Sequence, residues 1–248
     1  MTRNPWYLEY KKNPKAAIRL FCFHHSGGGA SAYYPWVESL SPYIEMISIQ
    51  LPGREDRFTE PLMSSLKDII DALTEGFYLY TEKPFFVFGH SLGGFIAFEL
   101  VKSIYQRYSL YPQHIIISAT KAPHMPFRMK TLSSLENKTL KEELKIYNGI
   151  DEGILNNDEL LDLFLPIIRN DFSISERYHS ADVASLPCDI LHLSGDLDVS
   201  VNEEEIQAWK AYTTGKFEHI SFLGGHFFLK DHQKDIIKLI NQIAEQYT

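Results

Sequence analysis

Cysteine is scarce in this chain: Cys22 and Cys188 are the only two in 248 residues. Both fall in apolar segments of strand character, which predicts buried free thiols rather than a disulfide. Long apolar runs are missing as well. No uninterrupted stretch approaches the roughly 20 residues that cross a bilayer, and Met1-Thr-Arg-Asn-Pro-Trp6 holds no apolar signal segment. Basic runs are absent and the formal net charge is −8, which argues against nucleic acid and other polyanions as partners. Internal repeats and low-complexity tracts are also lacking. These absences together predict a soluble, cytoplasmic protein with no membrane partner.

What remains is ample material for a core. Hydrophobic residues make up 44% of the chain and aromatics 13%, and the length suits one domain spanning residues 1–248. Strand candidates are Ala17–Phe23, Ile44–Gln50, Phe85–Gly89, His114–Ser118, Asp189–Leu193 and Phe217–Phe222. They alternate with helical patterns, the signature of a mostly parallel sheet flanked by helices in an α/β fold. Ser65 followed by Asp68 resembles a capping box, and Leu66, Ile69, Ile70, Leu73 and Phe77 then recur at helical spacing. A C-terminal helix from about Asp231 carries Ile236, Ile240 and Ile243 on one face. These stripes are core and carry no chemistry.

The alternation breaks between about His124 and Leu186. This stretch shows helical pattern and loops, with one helix over about Leu135–Tyr147 and another starting near Asn157 and interrupted at Pro166. An insertion at this point would lie over the strand ends as a helical lid (about residues 124–186), since long excursions above an active face are usually functional. A surface elaboration remote from any site is the alternative.

Chemistry enters with Gly89-His-Ser91-Leu-Gly93-Gly94, placed between the apolar strand Phe85–Phe88 and an apolar helix. G-x-S-x-G alone is a weak pattern. Between a strand and a helix it is the nucleophile elbow of an α/β-hydrolase, with Gly89 and Gly93 permitting the sharp turn and Ser91 at its apex. A serine nucleophile needs a base, and the base needs an orienting acid; in this fold the chain order is Ser, acid, His. Leu193-Ser-Gly-Asp196-Leu-Asp198 offers two carboxylates, of which Asp198, three residues after Gly195, is preferred over a turn-capping Asp196. Leu223-Gly-Gly-His226 presents a histidine on a glycine-loosened loop after the last strand.

The oxyanion hole calls for two backbone amides. Leu92, after the nucleophile, supplies one, and Ser26, in the loop His24-His-Ser-Gly-Gly-Gly29, is the choice for the other. The consecutive glycines of that loop lack G-x-G-x-x-G spacing, so a nucleotide fingerprint is rejected. Adjacent histidines after a strand point to opposite faces, so His24 and His25 are not assigned a metal. His90 is expected to pack beside the elbow. No metal and no cofactor are called for.

Six motifs then narrow the reading: Phe21-Cys-Phe-His-His-Ser-Gly-Gly-Gly29, Gln50-Leu-Pro-Gly-Arg54-Glu55, the elbow, Lys121-Ala-Pro-His124, Leu165-Pro-Ile-Ile-Arg169-Asn-Asp171-Phe and Gly224-Gly-His226-Phe-Phe-Leu. Over about residues 16–245 the chain resembles the type II thioesterases, stand-alone hydrolases that accompany nonribosomal peptide and polyketide synthetases. One departure is visible: the family usually has Pro-x-Ala before the first-loop glycines, where this chain has His24-His25-Ser26. A backbone donor survives that change.

The resemblance implies a thioesterase with a Ser91–His226–Asp198 triad that hydrolyses acyl groups from the phosphopantetheine arm of acyl- or peptidyl-carrier domains, clearing misprimed assembly lines. It is expected to act as a monomer. A general acyl-CoA thioesterase or carboxylesterase is the alternative, and a silent binding module would be expected to lack a triad member. Arg54 is either an anchor for phosphate or an acidic carrier surface, or a salt-bridge partner of Glu55 or Asp56. Arg169 and Asp171 are expected to tie the lid to the core. Lys121, Arg128 and Lys130 are candidates for carrier contact, or are solvated surface charge.

Overall fold

The structure, a computed structural model, describes residues 4–147 and 152–247. Its described residues form a seven-stranded sheet in the order β1-β3-β2-β4-β5-β6-β7. β2 (Ile18–Phe23), β3 (Ile44–Ile49), β4 (Phe85–His90), β5 (His114–Ser118), β6 (Asp189–Gly195) and β7 (Phe217–Phe222) run parallel to one another. All six sequence-predicted strands are present, within two residues at either end. β1 (Tyr7–Glu9) is an addition, pairing antiparallel with β3 through Tyr7 opposite Ile49. Three residues are too few for any periodicity to register, and β1 depends on β3 for its hydrogen bonds. Cys188 lies one residue before β6 rather than in it, and both cysteines are buried and free.

The sheet is covered on both faces, as alternation within its strands requires. Phe21 and Phe23 enter one core cluster with Phe85 and Val87. Ile18, Leu20 and Cys22 enter the opposite one with Phe86 and Phe88. α1 (Leu66–Phe77), capped by Ser65 Oγ accepting from Asp68 N, and α2 (Leu92–Tyr108) cover the first face. On the second lie the 3-10 segment Ala30–Trp36 and the C-terminal helix, where Ile236 and Ile240 are buried and Ile243 is partly so. Parallel strands fed by helical crossovers all end at one edge. There the loops after β2, β4, β6 and β7 bring together residues far apart in sequence.

The insertion between β5 and β6 is helical: α3 (Asn137–Tyr147), α4 (Glu152–Leu155) and α5 (Asp158–Arg177). Residues 148–151 of this segment lie outside the described residues, as do the N-terminal residues 1–3. Asn157 caps α5, its side-chain oxygen accepting from Glu159 N and Leu160 N at 3.1 Å each. The expected break at Pro166 does not occur, and α5 runs unbroken through it. Pro166 and Asp162 both lie on the exposed side of α5. The carbonyl that loses its partner there is within reach of water, while buried Leu165, Ile167 and Ile168 hold the helix down. α6 (Glu203–Gln207), α7 (Phe228–Asp231) and α8 (Gln233–Ala244) complete the described helices, so the C-terminal helix begins two residues later than the periodicity suggests.

The motif glycines serve close approach rather than unusual dihedrals. A Cβ on Gly89 would collide with the Gly93 carbonyl, and one on Gly93 with the Phe23 carbonyl at the end of β2. Gly93→Ala is therefore expected to cost about 1–3 kcal/mol, read as a fall in Tm. Gly225→Ala, whose new Cβ would meet nothing within 4 Å, should leave Tm unchanged. Equal melting temperatures for the two variants would contradict the packing argument.

Candidate active site

The turn that ends β4 places its strain on Ser91, which adopts φ 56° and ψ −120°. A non-glycine residue there costs on the order of 1–3 kcal/mol, so the surroundings must impose it. Ser91 N donates to Ser118 O at 2.9 Å, Gly94 N donates to Ser91 O at 2.9 Å, and Thr120 Oγ1 reaches Ser91 O at 2.9 Å. The serine is thus locked from both sides, with its side chain free of the helix ladder. Leu92 opens α2, where the first amides have no partner within the helix.

Asp198 and His226 meet across the loops after β6 and β7. His226 Nδ1 lies 2.9 Å from Asp198 Oδ2 and 2.9 Å from Ser200 Oγ. Ser200 donates its hydroxyl to Asp198 Oδ1 at 2.6 Å and its amide to the same oxygen at 2.9 Å. With Asp198 accepting, the proton sits on Nδ1, and Nε2 is left as the basic nitrogen. Burial works to raise the pKa of Asp198. Hydrogen bonds from His226 and Ser200, with the attraction of the His226 charge, outweigh it and hold the carboxyl below the usual carboxylate value. Asp196 does different work, accepting from Gly224 N at 2.8 Å and bracing the loop that leads to His226. Ser200 was not among the sequence-derived candidates. Its signal was the Asp198-Val-Ser200 spacing, an Asx-type turn in which the amide two residues on returns to the carboxylate.

Ser91, His226, Ser200 and Ser26 line one cavity with Phe95, Phe127, Met129, Leu132 and Phe172. The wall is mostly apolar, and Phe127, Met129, Leu132 and Phe172 all come from the insertion. That segment therefore stands over the strand ends, beside Ser91. Lys121 and Glu176 also reach the lining.

Neutral imidazoles surround His226. His90 is fully buried, with Nδ1 2.8 Å from Ser118 Oγ and its ring 5.1 Å from that of His226. Burial above all pushes its pKa well below the usual histidine value. Burial likewise lowers His25 to about 3 and His24 to about 4. His24 donates from Nδ1 to the His25 carbonyl at 2.9 Å, and the His25 ring packs on Phe227. Both histidines are packing elements of the first loop.

Several expected roles change. Arg54 pairs with neither Glu55 nor Asp56: its Nη1 and Nη2 donate to Asp171 Oδ2 at 2.7 Å and Oδ1 at 3.0 Å, fully out of solvent. Asp171 thus ties α5 to the core, whereas Arg169 bonds Ser133 O and Asn137 Oδ1 and stays inside the insertion. Lys121 is no surface cation. It is 7% exposed, donates to Met125 O at 2.6 Å and lies 5.3 Å from the Phe95 ring centroid, and burial lowers its pKa to about 8 against the raising effect of Glu205. Arg128 is bidentate on buried Glu205 at 2.7 Å for each bond, and Lys130 pairs with Glu143.

Comparison with known proteins shows the family. The thioesterase domain family matches residues 18–244. Among curated relatives, thioesterase PikA5 of Streptomyces venezuelae is 35% identical over 93% of this chain and 82% of its own. A protein named linear gramicidin dehydrogenase LgrE, of Brevibacillus parabrevis, is 31% identical over 98% of this chain and 93% of its own. Among solved structures, the type II thioesterase BorB from the borrelidin biosynthetic cluster superposes with a TM-score of 0.88 at 31% identity, covering 96% of this chain and 97% of that one. The chain belongs to the thioesterase domain family, and its likeness to type II thioesterases extends over nearly its whole length.

Proposed function

We propose that the protein is a serine thioesterase that clears acyl groups from the phosphopantetheine arm of carrier domains in nonribosomal peptide or polyketide assembly lines. It would act as a cytoplasmic monomer. The observation that carries the reading is the Asp198–His226 hydrogen bond at 2.9 Å beside Ser91, in an apolar cavity walled by the insertion. Among the described residues no helix is long and apolar enough to cross a membrane. In this reading residues 1–248 are one domain, and residues 124–186 are its lid.

The steps follow from the groups present. His226 Nε2 takes the Ser91 proton as Ser91 Oγ attacks the thioester carbonyl, and Asp198 stabilises the imidazolium that forms. The oxyanion is held by the amides of Leu92 and Ser26. When the tetrahedral intermediate collapses, the C–S bond breaks and His226 protonates the departing pantetheine thiolate. Water then attacks the acyl-serine with His226 again as base, releasing the free acid and restoring Ser91. The name of the gramicidin relative would suggest hydride transfer instead. The spacing of Gly27-Gly28-Gly29 does not fit a dinucleotide loop, whereas the Asp198–His226 pair beside an elbow serine suits acyl transfer.

Three outcomes are expected. In an acyl-carrier assay, Asp198→Asn should lower kcat by about 10,000-fold, while Asp196→Asn leaves it nearly unchanged; the reverse order would reassign the acid. Phe172→Ala, which widens the acyl wall, should raise kcat/KM for a long chain relative to acetyl by about tenfold or more, measured as a ratio within one preparation. Finally, kcat/KM for one acyl group should be at least about tenfold higher on a carrier protein than on coenzyme A, a difference of about 1.4 kcal/mol. Equal efficiency on both carriers would favour a general acyl-CoA hydrolase.

A further inference from the structure

Asp171 is the one carboxylate of α5 that is wholly buried, at 0% exposure. Besides its two bonds from Arg54, its Oδ2 accepts from Gly27 N at 2.8 Å. Arg54 Nη1 in turn donates to Gly28 O at 3.1 Å. Gln50 carries the brace onward: its Nε2 donates to Arg54 O at 3.0 Å and its Oε1 accepts from Ala30 N at 2.8 Å. Three backbone groups of the first loop, Gly27 N, Gly28 O and Ala30 N, are therefore held by one polar cluster whose keystone belongs to the insertion. Gly27, at φ 76°, directly follows Ser26. The next residue of α5, Phe172, and Ser175 and Glu176 one turn on, line the cavity that holds Ser91.

We infer that Asp171 is a positioning residue for the oxyanion hole: by accepting the Gly27 amide under the grip of Arg54, it sets where the Ser26 amide points and couples that placement to the helix walling the acyl cavity. The inference rests on the serine thioesterase reading above and on Ser26 as the second donor. The physical argument is one of reach. A hydrogen-bond donor stabilises an oxyanion only within a few tenths of an ångström of its proper place, and a loop with three consecutive glycines cannot hold that place unaided. The anchors on Gly27 N and Gly28 O fix the peptides that follow Ser26. Gly28 N in turn donates at 3.0 Å to His25 O, the carbonyl of the peptide that carries the Ser26 amide, so rotations that would turn the donor away are opposed. A charged acceptor gives the shorter and stiffer hydrogen bond, and Arg54 offsets the cost of burying it.

Removing one charge alone would strand the other and could unfold the protein, so the test uses two double variants that lack both charges. R54M/D171N keeps an oxygen able to accept from Gly27 N; R54M/D171L does not. Relative to R54M/D171N, the leucine variant should lose about 100-fold in kcat, the scale of a misplaced catalytic group, with KM within about twofold. A trifluoromethyl ketone carrying the acyl chain and pantetheine arm adds to Ser91 and presents a true oxyanion. Its affinity should fall in parallel with kcat, while affinity for the product acid stays level. A Tm that is similar in the two variants, with this split, supports the positioning role. Equal kcat in the two, or a loss of kcat, product binding and Tm together, would overturn it. Ser91→Ala assayed alongside separates the layers. Turnover by Ser91→Ala would sink the serine-hydrolase reading and the inference with it. An inactive Ser91→Ala with two equal double variants would sink the inference alone.

Discussion

The conformation of Ser91 is the constraint on which the rest of the structure depends. Its backbone sits where a side chain is unwelcome, at φ 56° and ψ −120°, and nothing local in Gly-His-Ser-Leu-Gly favours that. Closeness does the work. β4 and α2 approach so nearly that the Gly89 and Gly93 positions admit no Cβ, and the Gly93 side of the turn rests on the carbonyl that ends β2. Bonds between Ser91 and the end of β5, the first turn of α2 and Thr120 then close the turn. An error of one residue in the register of β2 against β4 would move Phe23 and remove the wall against which the elbow is pressed. Sheet register, helix placement and the Ser91 turn are therefore one requirement.

Electrostatics in the site follows a similar economy. Asp198 is the charge kept ionised beside His226, and it is held by three donated hydrogen bonds rather than by a cation. The other imidazoles nearby, His25 and His90, are kept neutral by burial. Packing with uncharged rings gives His226 stiff neighbours that add no positive charge of their own. A lysine or arginine in either place would lower its basicity through space.

Much of this was legible in the sequence. Strand–turn–helix context singled out Ser91, chain order singled out His226, and a three-residue offset from Gly195 ranked Asp198 above Asp196; the fold brings Asp198 and His226 to 2.9 Å of each other. Burial on both faces made the parallel sheet readable from residues such as Phe85–Phe88. What was not legible shares one physical character: it depended on partners distant in sequence. β1 is three residues long and exists through β3. Pro166 breaks helices on propensity, and only the packing of Leu165, Ile167 and Ile168 overrules it. Arg54 has two acidic neighbours in sequence, yet its partner lies 117 residues away. Lys121 looked like surface charge because lysine usually is, and its burial against Phe95 leaves no sequence trace.

The insertion shows how such distant contacts divide their work. Leu132, Leu140, Leu144, Leu161, Leu165 and Ile168 form a small core of their own, separate from the clusters on either face of the sheet, while Ile174 of α5 joins the main core. Apolar contact of this kind stabilises but tolerates sliding, because it is nearly indifferent to direction. The polar bonds from the same helix are not indifferent: Asp171 to Arg54 and Gly27, Asn170 to Met63 O, and Arg177 to Ser64 O each admit one placement. A buried ion pair contributes little net stability compared with well-packed apolar residues, so stability is a poor reason for Arg54 and Asp171 to be where they are. Direction is the better one. The apolar cluster holds the insertion together, and the buried pair fixes where its longest helix stands over Ser91.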